Sequence, residues 1–178
     1  MMKFGKGGGM EWGTICGALN GAAAAINLVC NNWGALIHEL NGLYTQTAFP
    51  SDRSNQMAVS QVFKTIKHQG SLVQSVSGSP LCHASVTQWC NTSGFTATSL
   101  PRKERCGRLT ADVAAKAVEM LNLDMTGLFV PSFQPTVEAE TCLSCHGKHS
   151  VIENVITDMN CTQCHGIRHG YSTTSSKK

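Results

Sequence analysis

Apolar residues recur at helical spacing along two stretches of the chain. One stretch carries them on a single helix face, at Leu36, Ile37, Leu40 and Leu43. The other belongs to a long helix that Pro101 opens and that runs to about Leu123, with inward positions at Leu109, Val113, Ala117 and Met120. Residues three and four apart share a helix face, and proline suits the first helical position, so both stretches predict amphipathic helices.

Weaker patterns predict three further helices. Gly13–Val29 is rich in small residues, which suits a buried helix packed closely on its neighbours. A short helix is expected over Leu81–Cys90, after a Gly/Ser-rich loop that holds a short extended piece at Leu72–Val76. A helix ended by Gly70 is indicated by the spacing of Val59, Val62, Phe63 and Ile66. Strand signals are sparse, so the sequence predicts an all-α fold.

The segment Phe129–Glu140 interrupts the helical pattern. Pro131 and Pro135 forbid a continuous helix there and favour an extended linker, so we place a domain boundary in this segment. The predicted organisation is a helical domain at 1–127, a linker at 128–139, a small second segment at 140–171 and a disordered tail at 172–178.

Two Cys-x-x-Cys-His pentapeptides lie in the second segment, CLSCH at Cys142–His146 and CTQCH at Cys161–His165. In an exported protein this pentapeptide is the attachment signature of c-type haem. The two thiols form thioethers with the haem vinyl groups, and the adjacent histidine lies beneath the iron as the proximal ligand. The sequence therefore predicts two covalent haems, with proximal ligands His146 and His165 and attachment through Cys142, Cys145, Cys161 and Cys164.

A four-cysteine zinc ribbon is the alternative for these motifs, because the same cysteines fit its spacing. A ribbon has no need of a histidine after both cysteine pairs, and the segments lack its strand-and-turn pattern. Apolar residues also recur at helical spacing between the motifs, at Val151, Ile152, Val155, Ile156 and Met159. So short a segment offers little protein core, so haem faces are the expected partners of these side chains.

Composition excludes several other classes of function. The chain has 178 residues, is 42% hydrophobic and carries a net charge of +3, which is too small to indicate nucleic acid or a membrane surface as partner. The apolar stretch Ile15–Val29 is too short and too polar to span a membrane. Covalent haem is normally attached outside the cytoplasm, so we expect a periplasmic protein whose export signal lies upstream of residue 1.

The first domain carries three stretches that resemble the C_GCAxxG_C_C redox-protein family, which is named for its cysteine pattern. They are FGKGGGMEWGTICGALNGA around Cys16, SPLCH around Cys82 and KERCGRLTADVAAKAVEML around Cys106. Followed by two CxxCH motifs, such a domain is similar to the split-Soret cytochromes c. The resemblance implies a homodimer, two bis-histidine haems per chain and an iron–sulfur centre in the helical domain. The family's first cysteine precedes the glycine-rich stretch and has no counterpart in this sequence.

The remaining cysteines support an iron–sulfur centre, which we expect to be [2Fe–2S]. Nine cysteines are an odd number, and the five outside the haem motifs cannot all pair in disulfides. Cys16 follows a run of glycines whose amides can approach cluster sulfides, and Cys82, Cys90 and Cys106 lie at or near helix starts, where the helix dipole favours a thiolate. Cys16, Cys82 and Cys106 rank first as ligands and Cys90 fourth, whereas Cys30 is expected to be an inert thiol. His83 is expected to be an ordinary helix histidine rather than a ligand.

Distal haem ligands are sought among the other histidines, of which His149 and His169 are the candidates. The two backbone positions of a bis-histidine haem lie roughly 12 Å apart, by the ligand distances typical of metal sites. Three extended residues span at most about 11 Å, so His149 cannot cross to the far face of the haem held by His146. It can serve a different haem, in the same chain or in a partner. His38 and His68 are expected to be ordinary surface or core residues.

The predicted function follows from the iron. Bis-histidine haem leaves no open position for oxygen or substrate, so it carries electrons rather than doing bond chemistry. No catalytic triad, paired catalytic carboxylates or phosphate loop is evident in the sequence. The first hypothesis is an electron-transfer cytochrome with two haems and a cluster, whose redox partners the sequence does not identify. The alternatives are an oxidoreductase that uses the cluster or a five-coordinate haem, and a zinc-ribbon interaction protein.

Overall fold

The structure is a computed structural model that describes residues 3–165. The chain divides into two compact units, Met1–Gln134 and Pro135–Lys178. This division falls inside the segment expected to be a linker. The candidate ligand His169 and the C-terminal tail lie outside the described residues.

The described residues form six α-helices and one two-stranded sheet, which confirms the predicted all-α fold. The first unit contains helices α1 (Gly17–Val29), α2 (Trp33–Gln46), α3 (Asp52–Val59), α4 (Cys82–Ser93) and α5 (Leu100–Met125). Strands β1 (Ala48–Phe49) and β2 (Ser75–Val76) pair antiparallel in the same unit. The second unit contains α6 (Val137–His146) and a single 3-10 turn at Cys161–Gln163.

The core of the first unit lies between α1, α2 and α5. The inward positions predicted for the long helix are buried, and so are Leu36 and Leu40 of α2. Ser99 caps α5, because its hydroxyl accepts a hydrogen bond from the backbone N–H of Arg102, and Pro101 occupies the first turn. The predictions for α2 and α5 are confirmed, because apolar periodicity alone determines which face of each helix is buried.

The predicted third helix was wrong in its position. The structure has a helix at Asp52–Val59, whereas Val62 lies outside any helix and is 61% exposed. Helix α3 is held in place by hydrogen bonds rather than by apolar burial. Asp112 of α5 accepts hydrogen bonds from the backbone N–H and hydroxyl of Ser51 and from the hydroxyl of Ser54. Apart from Ala58, the buried residues of this helix are the polar Ser54 and Asn55, and their spacing carries no hydrophobic signal.

The loop that follows α3 is bonded to Arg108 of α5. Its guanidinium donates to the backbone carbonyls of His68 and Gly70 and pairs with Glu104, with an Nε–Oε1 distance of 3.0 Å. Glu104 in turn accepts from the backbone N–H of Lys67. The backbone groups of Lys67, His68 and Gly70 thus bond to the buried charges of Glu104 and Arg108. Because these groups are used in this way, they are not part of a helix that ends at Gly70.

The apolar residues between the two CxxCH motifs recur at helical spacing, but they do not form a helix. Residues 151–160 form no helix, and the side chain of Val151 is 98% exposed. The backbone turns back on α6 instead, because the N–H of Ile152 donates to the carbonyl of Cys145 and the N–H of Asn154 donates to that of His146. Val151, Ile152 and Ile156 are exposed, whereas Val155 and Met159 line a cavity beside the two motifs.

Part of the expected linker is anchored to the first unit. The carboxylate of Glu39 is buried and accepts three hydrogen bonds, from the backbone N–H groups of Ser132 and Phe133 and from the Ser132 hydroxyl. The ring of Phe133 packs edge-on to His38 and occupies the space that a side chain at Gly42 would need. Residues 132 and 133 are thus part of the packed first unit.

This anchor leads to a prediction about stability. Burial raises the pKa of Glu39, but the hydrogen bonds from Ser132 and Phe133 outweigh it and hold that pKa below its usual value. The resulting stabilisation is present above the unfolded-state pKa and is lost as the pH falls through the lower folded-state pKa. Glu39→Gln should therefore lower the free energy of unfolding at pH 7 by about 1.5–3 kcal/mol, the range for hydrogen bonds to a charged group.

Chemical denaturation followed by circular dichroism at pH 7 and in acid would measure this effect. The stability of the unsubstituted chain should fall more steeply towards acid pH than that of Glu39→Gln. Glu119→Gln is the matched control, because Glu119 forms an exposed pair with Lys116 and should matter little. Equal effects of the two substitutions would refute the anchoring role of Glu39.

Candidate redox centres

Cys16, Cys82 and Cys106 come together around one cavity of about 530 Å³ in the first unit. Cys16 precedes α1, Cys82 is the first residue of α4, and Cys106 lies in the second turn of α5. Cys16 and Cys82 are brought side by side by two extended segments, because Cys16 N–H donates to Pro80 O at 2.9 Å and Cys82 N–H donates to Thr14 O at 2.7 Å. The three cysteines ranked first from sequence thus share one site.

The glycine-rich stretch forms part of the wall of this cavity. Gly5 and Gly7 line it directly. Gly8 adopts a left-handed conformation with φ +69°, and a Cβ there would lie 2.8 Å from Cβ of Cys82 and 2.7 Å from the backbone of Thr14. Only glycine permits both the dihedral angle and so close an approach. The stretch is therefore shaped to pack against the cysteine site.

The start of α1 also faces the cavity, through Gly17 and Ala18. The first N–H groups of a helix have no partner within it, and the helix dipole places partial positive charge at this end. Cys16, at the N-cap position, makes no side-chain capping bond to these groups. This end of α1 consequently favours negative charge in the cavity.

Two arginines of α5 add positive charge. Burial raises the pKa of the Cys82 thiol, and negative charge on Cys16 and Cys106 raises it further, whereas Arg102 and Arg105 lower it. Nη1 of Arg102 lies 4.0 Å from Sγ of Cys106. Gathering three thiolates in one place is unfavourable by itself, and these arginines oppose part of that cost.

Arg105 is the most unusual residue of the site. Its side chain is 1% exposed, and Nη2 donates to Oγ of Ser85, which also accepts from the hydroxyl of Tyr44. Its Nε is buried without a hydrogen-bond partner, and no carboxylate pairs with the guanidinium among residues 3–165. A buried, unpaired cation is costly, so this cavity suits a group with net negative charge such as a thiolate-bound iron–sulfur cluster.

The three cysteines of the cavity are spread around it. Within residues 3–165, no three side chains of His, Cys, Asp or Glu converge closely enough to hold one ion. Thiolates lie about 2.3 Å from a bound zinc ion, which requires the sulfur atoms to be close together. A cofactor with several iron atoms, whose ligands are spread around it, fits the three-cysteine cavity better.

The other residues considered for this centre lie elsewhere. Cys90 does not line the cavity, although the charges of Cys90 and Cys106 interact, and burial raises the pKa of the Cys90 thiol. Cys30 donates its S–H to Oδ2 of Asp124 at 3.1 Å, at the opposite end of α1 from Cys16. His83 packs beside Gly13 and is not part of the cavity lining.

A second cavity, of about 430 Å³, lies in the second unit and is lined by both CxxCH motifs. Helix α6 carries the first motif at its C-terminal end, and the 3-10 turn carries the second. The lining includes one or two cysteines and the histidine from each motif: Cys142, His146, Cys161, Cys164 and His165. Burial raises the pKa of the Cys161 thiol, and the neighbouring Cys142 raises it further. Cys145 is exposed and does not line this cavity.

The two histidines near the first motif have different surroundings. Nδ1 of His146 lies 2.9 Å from Oδ1 of Asn154. His149 has a left-handed backbone with φ +63°, does not line the cavity, and places Nδ1 4.0 Å from Oε1 of Glu153. The imidazole of His146 is therefore held inside the site, while that of His149 points to surroundings outside it.

Comparison with known proteins gives three matches. The model of the family described as "Putative redox-active protein (C_GCAxxG_C_C)" matches residues 1–120. Split-Soret cytochrome c of Desulfovibrio desulfuricans (strain ATCC 27774 / DSM 6949 / MB) is 38% identical over 185 residues, and the match covers 99% of this chain and 62% of that protein. This chain thus spans less than two thirds of the length of that curated relative.

A solved structure of the split-Soret cytochrome c from Desulfovibrio desulfuricans ATCC 27774, described as having a novel iron centre, is also similar. It superposes with a TM-score of 0.77 at 36% identity, covering 98% of this chain and 70% of the other. The fold similarity therefore extends over both units. In the part of this chain that the structure describes, no helix has the length and apolar character needed to cross a membrane.

Proposed function

Because this chain belongs to the C_GCAxxG_C_C redox-protein family, we propose that it is an electron-transfer c-type cytochrome with two covalent haems and an iron–sulfur centre. The observation that carries this proposal is the pairing of the two CxxCH motifs around one cavity, with His146 and His165 both in its lining. The similarity to a cytochrome c over nearly the whole chain adds support.

The haems would be held by the second unit. Cys142 and Cys145 would attach one haem and Cys161 and Cys164 the other, each chain segment carrying its histidine to the iron. The exposed apolar residues of the intervening segment, Val151 and Ile156, suit contact with porphyrin faces better than contact with water. When bound, each haem supplies a one-electron couple.

The iron–sulfur centre would occupy the three-cysteine cavity of the first unit. Cys16, Cys82 and Cys106 are its proposed ligands, and the buried charge of Arg105 compensates the negative charge of the cluster. Cys90 remains the candidate for a fourth position on the ground of its charge interaction with Cys106, although it lies outside the lining. A [2Fe–2S] form is the working hypothesis, and such a cluster supplies a further one-electron couple.

Distal ligation and assembly complete the proposal. His149 and His169 are the candidate sixth ligands. Three residues are too few for His149 to reach the far face of the haem held by His146, so His149 would ligate a different haem. About thirty residues cannot enclose two porphyrins, so haem-to-haem contact across a two-fold axis would remove large apolar faces from water in a homodimer. Covalent haem also implies a periplasmic location.

The role of His149 can be tested by replacing it. His149→Ala should convert one haem to high-spin iron without releasing the haem bound to Cys142 and Cys145, because His149 is proposed as a sixth ligand only. Electronic absorption and electron paramagnetic resonance spectra would detect the change. His68→Ala is the control, because His68 packs edge-on to Phe95 in the first unit. A His149→Ala protein with entirely low-spin haem would exclude His149 as a ligand.

The alternative is an oxidoreductase in which the cluster or a five-coordinate haem does the chemistry. The observation that favours this alternative is the buried Nε of Arg105, which has no hydrogen-bond partner, because a buried cation would also bind an anionic substrate. Carbon monoxide separates the two functions. The reduced full-length protein should not bind carbon monoxide if both haems are six-coordinate, whereas binding at one haem per chain would support catalysis at an open iron.

Analysis of iron, acid-labile sulfide and zinc in the anaerobically purified full-length protein tests the metal content. Iron in excess of the haem iron, accompanied by sulfide, is the expected result for the first unit. A colourless protein that contains zinc and no sulfide would overturn the proposal in favour of a zinc-binding interaction protein.

A further inference from the structure

One contact in the second unit is unexplained by haem attachment alone. Oδ1 of Asn154 lies 2.9 Å from Nδ1 of His146, which is within hydrogen-bond distance. Asn154 belongs to neither CxxCH motif. We propose that Asn154 is a positioning residue that fixes the proton, and the ring orientation, of His146 for iron ligation through Nε2. This inference rests on the proposed haem function.

The chemistry of imidazole makes the contact specific. A neutral imidazole carries its proton on one ring nitrogen and a lone pair on the other. Since Oδ1 of Asn154 is an acceptor, it holds the proton on Nδ1 and places the lone pair on Nε2, the nitrogen proposed to ligate iron. The reverse arrangement would place the proton on Nε2, where it would block coordination. The contact therefore selects the tautomer that iron requires.

The backbone around Asn154 is built to maintain this contact. The N–H groups of Asn154 and Val155 both donate to the carbonyl of His146, at 3.1 Å each. Ser150 closes the intervening turn, because its Oγ lies 2.7 Å from the carbonyl oxygen of Cys145 and 2.6 Å from that of Gly147, either of which can accept its hydroxyl proton. Asn154 is thus tied to the backbone of the residue whose ring it orients.

The turn that precedes Asn154 contains an unfavourable backbone conformation. Glu153, directly before Asn154, has φ +44°, which is uncommon for a residue with a side chain. Such a conformation persists only where the surrounding structure specifies it. The hydrogen bonds at Ser150, Asn154 and Val155 supply that specification, so the turn geometry and the His146 contact belong together.

The second motif lacks an equivalent contact in the described part of the chain. Within residues 3–165, no side chain bonds to the ring of His165, and Asn160, the nearest asparagine, accepts from the N–H and hydroxyl of Thr162. A hydrogen bond from the outer nitrogen raises the basicity of a ligating histidine and stabilises the oxidised metal. The haem held by His146 should therefore respond to residue 154, and the haem held by His165 should not.

A series of substitutions tests this role by redox titration of the full-length holoprotein. Asn154→Leu removes the acceptor and should shift the midpoint potential of one haem to a more positive value. Asn154→Asp keeps the shape and supplies a charged acceptor, so it should shift the same haem to a more negative value. Opposite shifts distinguish an effect on His146 from a structural effect on the turn, which both substitutions would change in the same direction.

Single-haem backgrounds assign the shift to one iron. With Cys164→Ser, which spares the first motif, the Asn154 series should shift the remaining haem in both directions. With Cys145→Ser, which spares the second motif, the series should leave the potential unchanged. Asn160→Leu is the matched control in the same cavity and should not move the His146 haem.

The outcomes separate this inference from the function on which it rests. A chain with both haems bound and with potentials that do not depend on residue 154 would overturn the role of Asn154 alone, and so would shifts of the same sign for leucine and aspartate. A chain without covalent haem would overturn the proposed function and this inference with it.

Discussion

Replacing Cys142 with serine should lower the covalently bound haem from two groups per chain towards one. Cys142 lies in α6, lines the second cavity and is proposed to form one of the two thioethers of the first motif. A serine hydroxyl cannot add to the vinyl group under the conditions in which a thiol does, so this haem would lose its attachment while the second motif remains intact. The pyridine haemochrome spectrum of protein washed with acidified acetone measures the haem that stays bound.

The matched control for this prediction is Cys30→Ser. Cys30 is also partly buried, but its S–H donates to Asp124 in the first unit and takes no part in either motif. It should leave the haem content unchanged. If Cys142→Ser retained both haems with the stability of the parent protein, the assignment of the first motif would have to be abandoned.

Removal of the Cys106 thiol should abolish most of the non-haem iron and acid-labile sulfide. Cys106 shares the cavity with Cys16 and Cys82, so its removal would leave two lining cysteines to hold a cluster. Iron–sulfur clusters normally need thiolates around them, commonly four. Iron and sulfide analysis of Cys106→Ala, prepared anaerobically beside the parent protein, provides the measurement.

Two other substitutions sharpen this test. Cys30→Ala should leave cluster content unchanged, because Cys30 is remote from the cavity. Cys90→Ala tests the proposed fourth position separately, since Cys90 lies outside the lining but interacts with the charge of Cys106. Unaltered iron and sulfide in Cys106→Ala would rule out the three-cysteine cavity as the cluster site.

Helices α2 and α5 could be predicted from sequence because each buries one apolar stripe against the same core. Leu40 and Leu109 are almost fully buried at positions that periodicity alone identifies. The signal is local, since a helix face is defined by residues a few positions apart. The same reasoning supported the all-α fold as a whole.

The position of helix α3 could not be predicted from apolar periodicity, because its buried side is mostly polar. Ser54 and Asn55 are buried, and their partners lie on α5 and in the loop before β2. Such hydrogen bonds join residues far apart in the chain, so no window of sequence contains both partners. The apolar residues near Val62 then gave a misleading period.

The cysteines of the cluster cavity could be named from the family resemblance, but the groups that compensate their charge could not. Arg105 is adjacent to Cys106 in sequence, yet only the tertiary structure shows that its guanidinium is buried and that no carboxylate among residues 3–165 pairs with it. Tyr44 and Ser85 come from two other helices. The only indication in the sequence was that Arg105 is adjacent to Cys106, and such neighbours are common on exposed helices.

The CxxCH pentapeptides were the strongest local signal, and the structure adds what their spacing does not contain. Both motifs line one cavity, and a residue outside them, Asn154, contacts the first motif's histidine. The apolar residues between the motifs were expected to contact haem faces, and their helical spacing corresponds to no helix in residues 151–160. The exposure of Val151 and Ile156 leaves a surface that a large apolar group would cover.

The central claim is that this chain carries two c-type haems, and the haemochrome assay of the full-length protein matured in a bacterial periplasm tests it most directly. After extraction with acidified acetone, the protein should retain two haems per chain, with the spectrum of haem whose vinyl groups are both saturated. A protein that releases its haem into the acetone, or that contains zinc and no haem, would contradict the claim.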